Sequence, residues 1–280
     1  MDTSGLRIGR GSDDAITAFG WYNEAMSTTP SDAGTWGASF NPYPAPAAHY
    51  PGELCTGDEM SREEFHARYE RSPGKLKVEL VNGVVFVASP VSLNHGAPDC
   101  FLNGLLYYYT ARTPGCQAAA NATIFLGPKD EPQPDSLLRL LPEFGGQSRT
   151  EQRQGLDYVA GAPELVVEVA HSSRAIDLHW KRNAYQQGGV IEYIVHCVEE
   201  KELRWFDLRQ DLQLQPSADG VVRSNQFTGL WLNVPAVGAL DFGAAVKTLE
   251  AGLASPEHAE FVARLKAQHD KLAAAPRPAE

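Results

Sequence analysis

The chain is poor in positive charge. Its 280 residues carry 24 Lys and Arg against 35 Asp and Glu, a formal net charge of -11. A protein that coats long nucleic acid gains affinity from counterions released at Lys and Arg, and that footprint is missing. Contact with DNA must come from local clusters of bases, and binding to long duplex is expected to be weak and salt-sensitive. Long apolar runs are also missing, and Met1-Asp2-Thr3-Ser4 does not begin a signal peptide, so the expectation is a soluble, cytoplasmic chain with no membrane partner. The four cysteines, Cys55, Cys100, Cys116 and Cys197, have no paired spacing, which argues against zinc or a disulfide framework. No Walker loop, dinucleotide fingerprint or internal repeat is found. What remains, 43% hydrophobic and 21% charged residues, is ordinary globular usage.

Three segments are expected. Residues 1–50 form an arm rich in Gly, Ser, Thr, Asp and Pro, extended around Pro42, Pro44 and Pro46. Phe19, Trp21, Tyr22, Trp36, Phe40 and Tyr43 are more aromatics than a linker needs, which suggests that the arm lies on the core or on a neighbouring subunit of a homodimer. Residues 51–245 form the core and 246–280 a helical tail. Ser61 with Glu64 three residues on predicts a capped helix ending at Pro73-Gly74. Leu76–Leu80 and Val84–Ala88 read as a hairpin around Asn82-Gly83. A helix is expected from about Pro98 to Arg112, with His95 just before it, a structural or capping residue or a phosphate contact. Strands are expected at Ile191–Val195, Leu203–Leu208, Val221-Val222 and Leu230–Leu232.

Two acids stand out. Pro163-Glu164-Leu165-Val166-Val167-Glu168-Val169-Ala170 reads as a buried strand, and Glu168 is a carboxylate that its apolar run does not explain. Asp135 follows Pro134 and precedes Leu137-Leu138, so the two could meet on neighbouring strands and hold Mg²⁺ through hard oxygen ligands. A turn aspartate and the solvated face of an edge strand are the plainer alternatives. After Ala170, His171-Ser172-Ser173 can open a helix that runs to Gln187 and stops at Gly188-Gly189. Asp177, Lys181 and Tyr185 recur every four residues and so share one face. Glu79 is either a third ligand or, by strand alternation against Val78 and Leu80, solvent-facing. Bases gather at Arg62, Arg68, Arg71, Lys75 and Lys77, and again at Arg174, Lys181 and Arg182.

The order of these pieces, from Val78-Glu79-Leu80-Val81-Asn82-Gly83 through Ser89-Pro90, His95, Pro134-Asp135, Gly161-Ala162-Pro163-Glu164-Leu165-Val166-Val167-Glu168-Val169 and the Asp177/Lys181/Tyr185 helix to Gly189-Val190-Ile191-Glu192-Tyr193, resembles the Uma-two family. That is a group of endonuclease-like proteins within the PD-(D/E)XK restriction-endonuclease-like superfamily. The resemblance implies an α/β core, a twisted mixed sheet with the Asp135 and Glu168 strands central and helices on both faces. It also implies metal-dependent hydrolysis of DNA phosphodiester bonds, with Asp135, Glu168 and the Val169 carbonyl holding Mg²⁺, or Mn²⁺ as a substitute, and Glu79 as a further ligand. The superfamily lysine two residues after the second acid is Ala170 here, and Lys181 is the residue that matches a lysine moved to the next helix. Tyr185 and Asp177 would fix that lysine, and His95, Arg174 and Arg182 would contact the substrate. A catalytically inactive binding or scaffold module that keeps the fold is the competing expectation, favoured by Ala170 and the acidic charge.

Overall fold

The computed structural model describes residues 54–72, 77–171 and 173–274. The expectations for residues 1–50, for the Pro73-Gly74 stop, for Lys75 and for Ser172 lie outside them. The first helix, α1 (Arg62–Arg71), begins where the capping signal puts it: the Ser61 hydroxyl accepts from the Glu64 amide. Strands β1 (Val78–Val81) and β2 (Val84–Val87) pair antiparallel. Asn82 and Gly83 both take positive φ, at 53° and 81°, as a two-residue hairpin turn requires.

Helix α2 (Leu93–Thr110) starts about five residues earlier than expected, after Ser92 in extended backbone, with Pro98 inside it. His95 therefore sits in its first turn and not before it. The main sheet follows: β3 (Cys116–Ala120), β5 (Ser136–Leu140), β8 (Leu165–Ala170), β9 (Glu192–Cys197), β10 (Glu202–Asp207) and β11 (Leu212–Leu214), in spatial order β11-β10-β9-β8-β5-β3. Only β8 and β9 run parallel, so the sheet is mixed. A small sheet of β4 (Ile124–Phe125), β6 (Arg149–Arg153) and β7 (Leu156–Ala160) and the pair β12 (Val221–Arg223) and β13 (Trp231–Asn233) flank it.

Alternation along β8 divides the core. Leu165, Val167 and Val169 pack against α2 and the C-terminal helix α5 (Phe242–Leu253), between α4 (Val234–Ala239) and α6 (Pro256–Ala274). Val166 and Ala170 face the opposite cluster, which includes Tyr185 and Tyr193. Helices thus cover both faces of the sheet, and Glu168 lies on the Val166/Ala170 side by the two-residue period. The helix on that side is not regular. Ile176–Lys181 is π-helical and continues into α3 (Arg182–Gly188), which ends at Gly189 with φ 91°. The last turn packs so closely that a Cβ at Gly188 would stand 2.3 Å from Leu126.

Candidate active site

Register brings the first two acids together. The β5–β8 ladder ends at Ser136 opposite Val167, and one step further Asp135 stands opposite Glu168. Residues directly opposite in an antiparallel pair project to the same face, so both carboxylates leave the sheet side by side. They line one cleft of about 320 Å³ together with Lys77, Glu79, Asp177 and Lys181.

Glu168 is 2% exposed. Its Oε1 accepts from Lys181 Nζ at 3.0 Å and from the Tyr185 hydroxyl at 2.7 Å, while its Oε2 accepts from no described residue. Burial pushes its carboxyl well above the ordinary 4.5 despite Lys181. Lys181 Nζ also meets Glu79 Oε2 at 2.9 Å and Asp177 Oδ1 at 3.7 Å. Burial works against its charge, but Glu168, Glu79 and Asp177 outweigh it and raise the ammonium well above 10.5. Asp177 takes a 2.5 Å bond from the Ser173 hydroxyl, and its backbone carbonyl accepts from the Tyr193 hydroxyl at 3.0 Å. In a helix closed by i→i+5 bonds a four-residue step falls just short of one turn, so Asp177 and Lys181 stay on one face.

Glu79 is buried, as are all four residues of β1, so the solvent-facing alternative does not hold. Its Oε1 accepts from the Gln133 amide at 2.7 Å. Alternation does set Glu79 opposite Val78 and Leu80, but the face it occupies is not solvent: it lines the cleft with Asp135 and Lys181.

Asp135 has a different shell. Oδ1 takes Lys77 Nζ at 2.9 Å and His95 Nε2 at 3.3 Å, and Oδ2 takes the Val169 amide at 2.8 Å. Burial opposes its ionisation, but these donors hold the carboxyl well below the usual carboxylate range. The same bond raises His95 above its ordinary 6.5. Extended backbone turns a residue's N–H and C=O to the same edge of its strand, so the Val169 carbonyl lies on the Asp135 side as well.

Lys77 was expected only as one of a group of surface bases. It precedes Glu79 by two positions, and strand alternation alone puts both on one face. Arg174 and Arg182, by contrast, do not reach the cleft. Arg174 pairs with Glu200 at 3.1 Å, and Arg182 bonds Asp211 while lying 4.6 Å over the Phe206 ring. Acidic partners outside the site claim both guanidinium groups, so their expected contact with substrate has no support in the geometry.

No group of three or more His, Cys, Asp or Glu side chains among the described residues is gathered closely enough to hold a metal ion. The donor chemistry nonetheless suits a hard divalent cation: two carboxylates and a backbone carbonyl on adjacent strand ends, with Glu168 Oε2 uncommitted. Charge agrees. Glu79, Asp135, Glu168 and Asp177 face the Lys77 and Lys181 ammonium groups and the His95 imidazole, which leaves one negative charge when all are ionised and two when His95 is neutral.

Residues 62–235, well over half of the chain, match the Uma2 family, described as a putative restriction endonuclease. Among solved structures, the chain is similar to a putative nuclease of the DUF820 group from Anabaena variabilis ATCC 29413. The TM-score is 0.51 at 13% identity, over 64% of this chain and 98% of that one. At that identity the likeness shows the fold, a restriction-endonuclease-like one. No curated protein matches the chain. Among the described residues no helix is long and apolar enough to cross a membrane.

Proposed function

Because this chain belongs to the Uma2 family of putative restriction endonucleases, we propose that the cleft hydrolyses DNA phosphodiester bonds with the help of a divalent cation, Mg²⁺ or Mn²⁺. The observation that carries the reading is the meeting of Asp135, Glu168 and Lys181 at one end of the central strands, the lysine 3.0 Å from Glu168 and supplied by the following helix. Asp135, Glu168 and the Val169 carbonyl would hold the cation, with Glu79 at hand. When bound, the cation would polarise the scissile phosphate and lower the pKa of an attacking water.

The chain's own residues do the rest. Lys181 Nζ, held by Glu79 and Asp177, keeps a positive charge beside the reacting phosphate and offsets the charge that develops there. Tyr185 fixes Glu168 Oε1 through its hydroxyl. His95 and Lys77 keep Asp135 ionised, so it is ready to bind a cation at neutral pH.

The test is cleavage of labelled DNA by the full chain with Mg²⁺ or Mn²⁺, against EDTA, beside Asp135→Asn and Glu168→Gln. Cleavage that needs the metal and is lost in both variants is expected. Cleavage that survives EDTA or either substitution overturns the reading, and an absence of both cleavage and metal-induced stabilisation supports the inactive scaffold instead.

A further inference from the structure

The cleft has a polar floor and apolar walls. Beside the carboxylates and several Ser and His side chains, Phe86, Val87, Pro90, Val91 and Ile176 line it. Val91 is 63% exposed, and Leu93, at the start of α2, is 82% exposed. Trp180, next to Lys181 in the π-helical turn, does not itself line the cleft; it is 48% exposed and stands edge-to-face with Phe86, which does, their ring centres 6.1 Å apart. The Asn82 side-chain Nδ2 of the hairpin turn donates to the Trp180 carbonyl at 3.3 Å, which ties this turn of helix to the hairpin. An indole with about half its surface left in water beside a reacting lysine is an unusual place for aromatic surface.

Charge points the same way. The lysines of the cleft are both tied to carboxylates. The nearby guanidinium groups of Arg174 and Arg182 are claimed by Glu200 and Asp211. Tracking a duplex needs rows of unengaged Lys and Arg along both backbones. A single strand still needs phosphate contacts, but each base that stacks on an aromatic ring adds affinity, a contribution open only to bases that are not already stacked in a duplex.

Resting on the nuclease reading above, we propose that the substrate of this cleft is an unpaired DNA strand, a base of which stacks on the Trp180 indole, held edge-on by Phe86, while its phosphodiester reaches the carboxylates of the cleft. Trp180 is then a specificity-determining residue that positions the strand and takes no part in the chemistry.

The experiment compares one labelled sequence as a single strand, as a blunt duplex and as a duplex with an unpaired bubble, each with Mn²⁺ and the full chain. In parallel, tryptophan fluorescence is followed as the single strand is added without metal. Expected are cleavage of the single strand and bubble at least about tenfold faster than duplex, and quenching on binding. Trp180→Ala should lower single-strand cleavage about tenfold and remove much of the quenching, and Trp180→Phe should restore the cleavage. The half-exposed position means that circular dichroism and melting of Trp180→Ala should match the parent. Duplex cleaved as fast as single strand, or a Trp180→Ala variant with parental cleavage and quenching, overturns the proposal and leaves the nuclease reading intact. Quenching that depends on Trp180 without cleavage of any form keeps the stacking of an unpaired strand on Trp180 and overturns the nuclease reading. An absence of both cleavage and quenching overturns both.

Discussion

Lys181 Nζ, from the π-helical turn, lies 2.9 Å from Glu79 Oε2, from the first hairpin. This bond joins two elements that share no strand pairing, and it does so inside the protein, since Lys181 and Glu79 are both 6% exposed. A lysine held this way is part of the packing as well as of the site.

Lys181→Met follows from that burial. A methionine fills most of the space but leaves Glu79, Glu168 and Asp177 facing one another without a cation, and breaking a buried ion pair costs about 3 to 5 kcal/mol. On sequence alone the substitution would be expected to spare the melting temperature; the burial of Lys181 predicts a clear loss together with loss of cleavage. The sign with pH is fixed by Glu168, whose folded carboxyl is already raised above 4.5 by burial. Without the ammonium it rises further, so the folded state binds more protons than the unfolded one. The deficit should be smallest below about pH 4.5 and grow as pH rises. Denaturant melts of parent and variant at pH 5 and pH 8 check this, and an equal deficit at both would count against it.

Tyr185→Phe removes only the hydroxyl that donates to Glu168 at 2.7 Å from a fully buried ring. A hydrogen bond to a carboxylate contributes about 1.5 to 3 kcal/mol. The expected outcome is a stability loss of that size in urea melts, with metal-dependent cleavage reduced but present. Arg182→Met, whose partner Asp211 lies away from the cleft, should leave cleavage within about twofold of the parent, because an exposed pair contributes little.

How much of this could be read from the chain depends on which force places each residue. Asp135 and Glu168 were legible because an apolar run fixes both the burial and the register of β8, and register decides which side chains meet. The spacing of Asp177, Lys181 and Tyr185 put these residues on one face but did not show the π-helical turn, whose Asp177 carbonyl accepts from the Tyr193 hydroxyl of β9, a tertiary contact with no local signature. Lys77 was within reach of the same alternation that describes Glu79. The start of α2 was obscured by Pro98, which favours a first turn yet is carried in the helix interior. Strand β3 (Cys116–Ala120) is alanine-rich and forms because β5 offers it a partner, a tertiary cause that propensity does not contain.

Glu131 gives a pH prediction outside the cleft. It bonds His66 Nδ1 at 2.8 Å beneath α1, and burial pushes its carboxyl up to about 7. A raised folded value means that its contribution to stability is full below about 4.5 and is lost as pH rises through about 7. Glu131→Gln keeps an acceptor for His66 but cannot ionise. The difference in unfolding free energy between variant and parent should therefore shift by on the order of 2 to 3 kcal/mol in favour of the variant from pH 4 to pH 8. Urea melts across that range measure it, and a flat difference would remove Glu131 as the titrating group.

Lys77 is the last case, and the one that separates a place-holder from a participant. Its ammonium lies 2.9 Å from Asp135 Oδ1, on an oxygen that a bound cation would need. Burial works against the lysine's charge, but Asp135 and Glu168 raise it above 10.5, so it stays charged at every working pH. Lys77→Met removes one of the two donors on Asp135 Oδ1, leaving His95 at 3.3 Å, and adds one more uncompensated negative charge to the floor of the cleft. His95 and the Val169 amide still hold Asp135 in its ionised form. The metal-free variant should melt below the parent, because like charges then repel with less to offset them. Added Mn²⁺ should raise its melting temperature more than the parent's, with half-saturation at roughly tenfold lower concentration, since ligands that bind only the folded state stabilise it in proportion to their affinity. Differential scanning fluorimetry over a Mn²⁺ series reads both effects without any need for turnover. A variant that loses its response to Mn²⁺ would instead show that Lys77 organises Asp135 for the cation, and an unchanged response would place the cation away from Asp135 Oδ1.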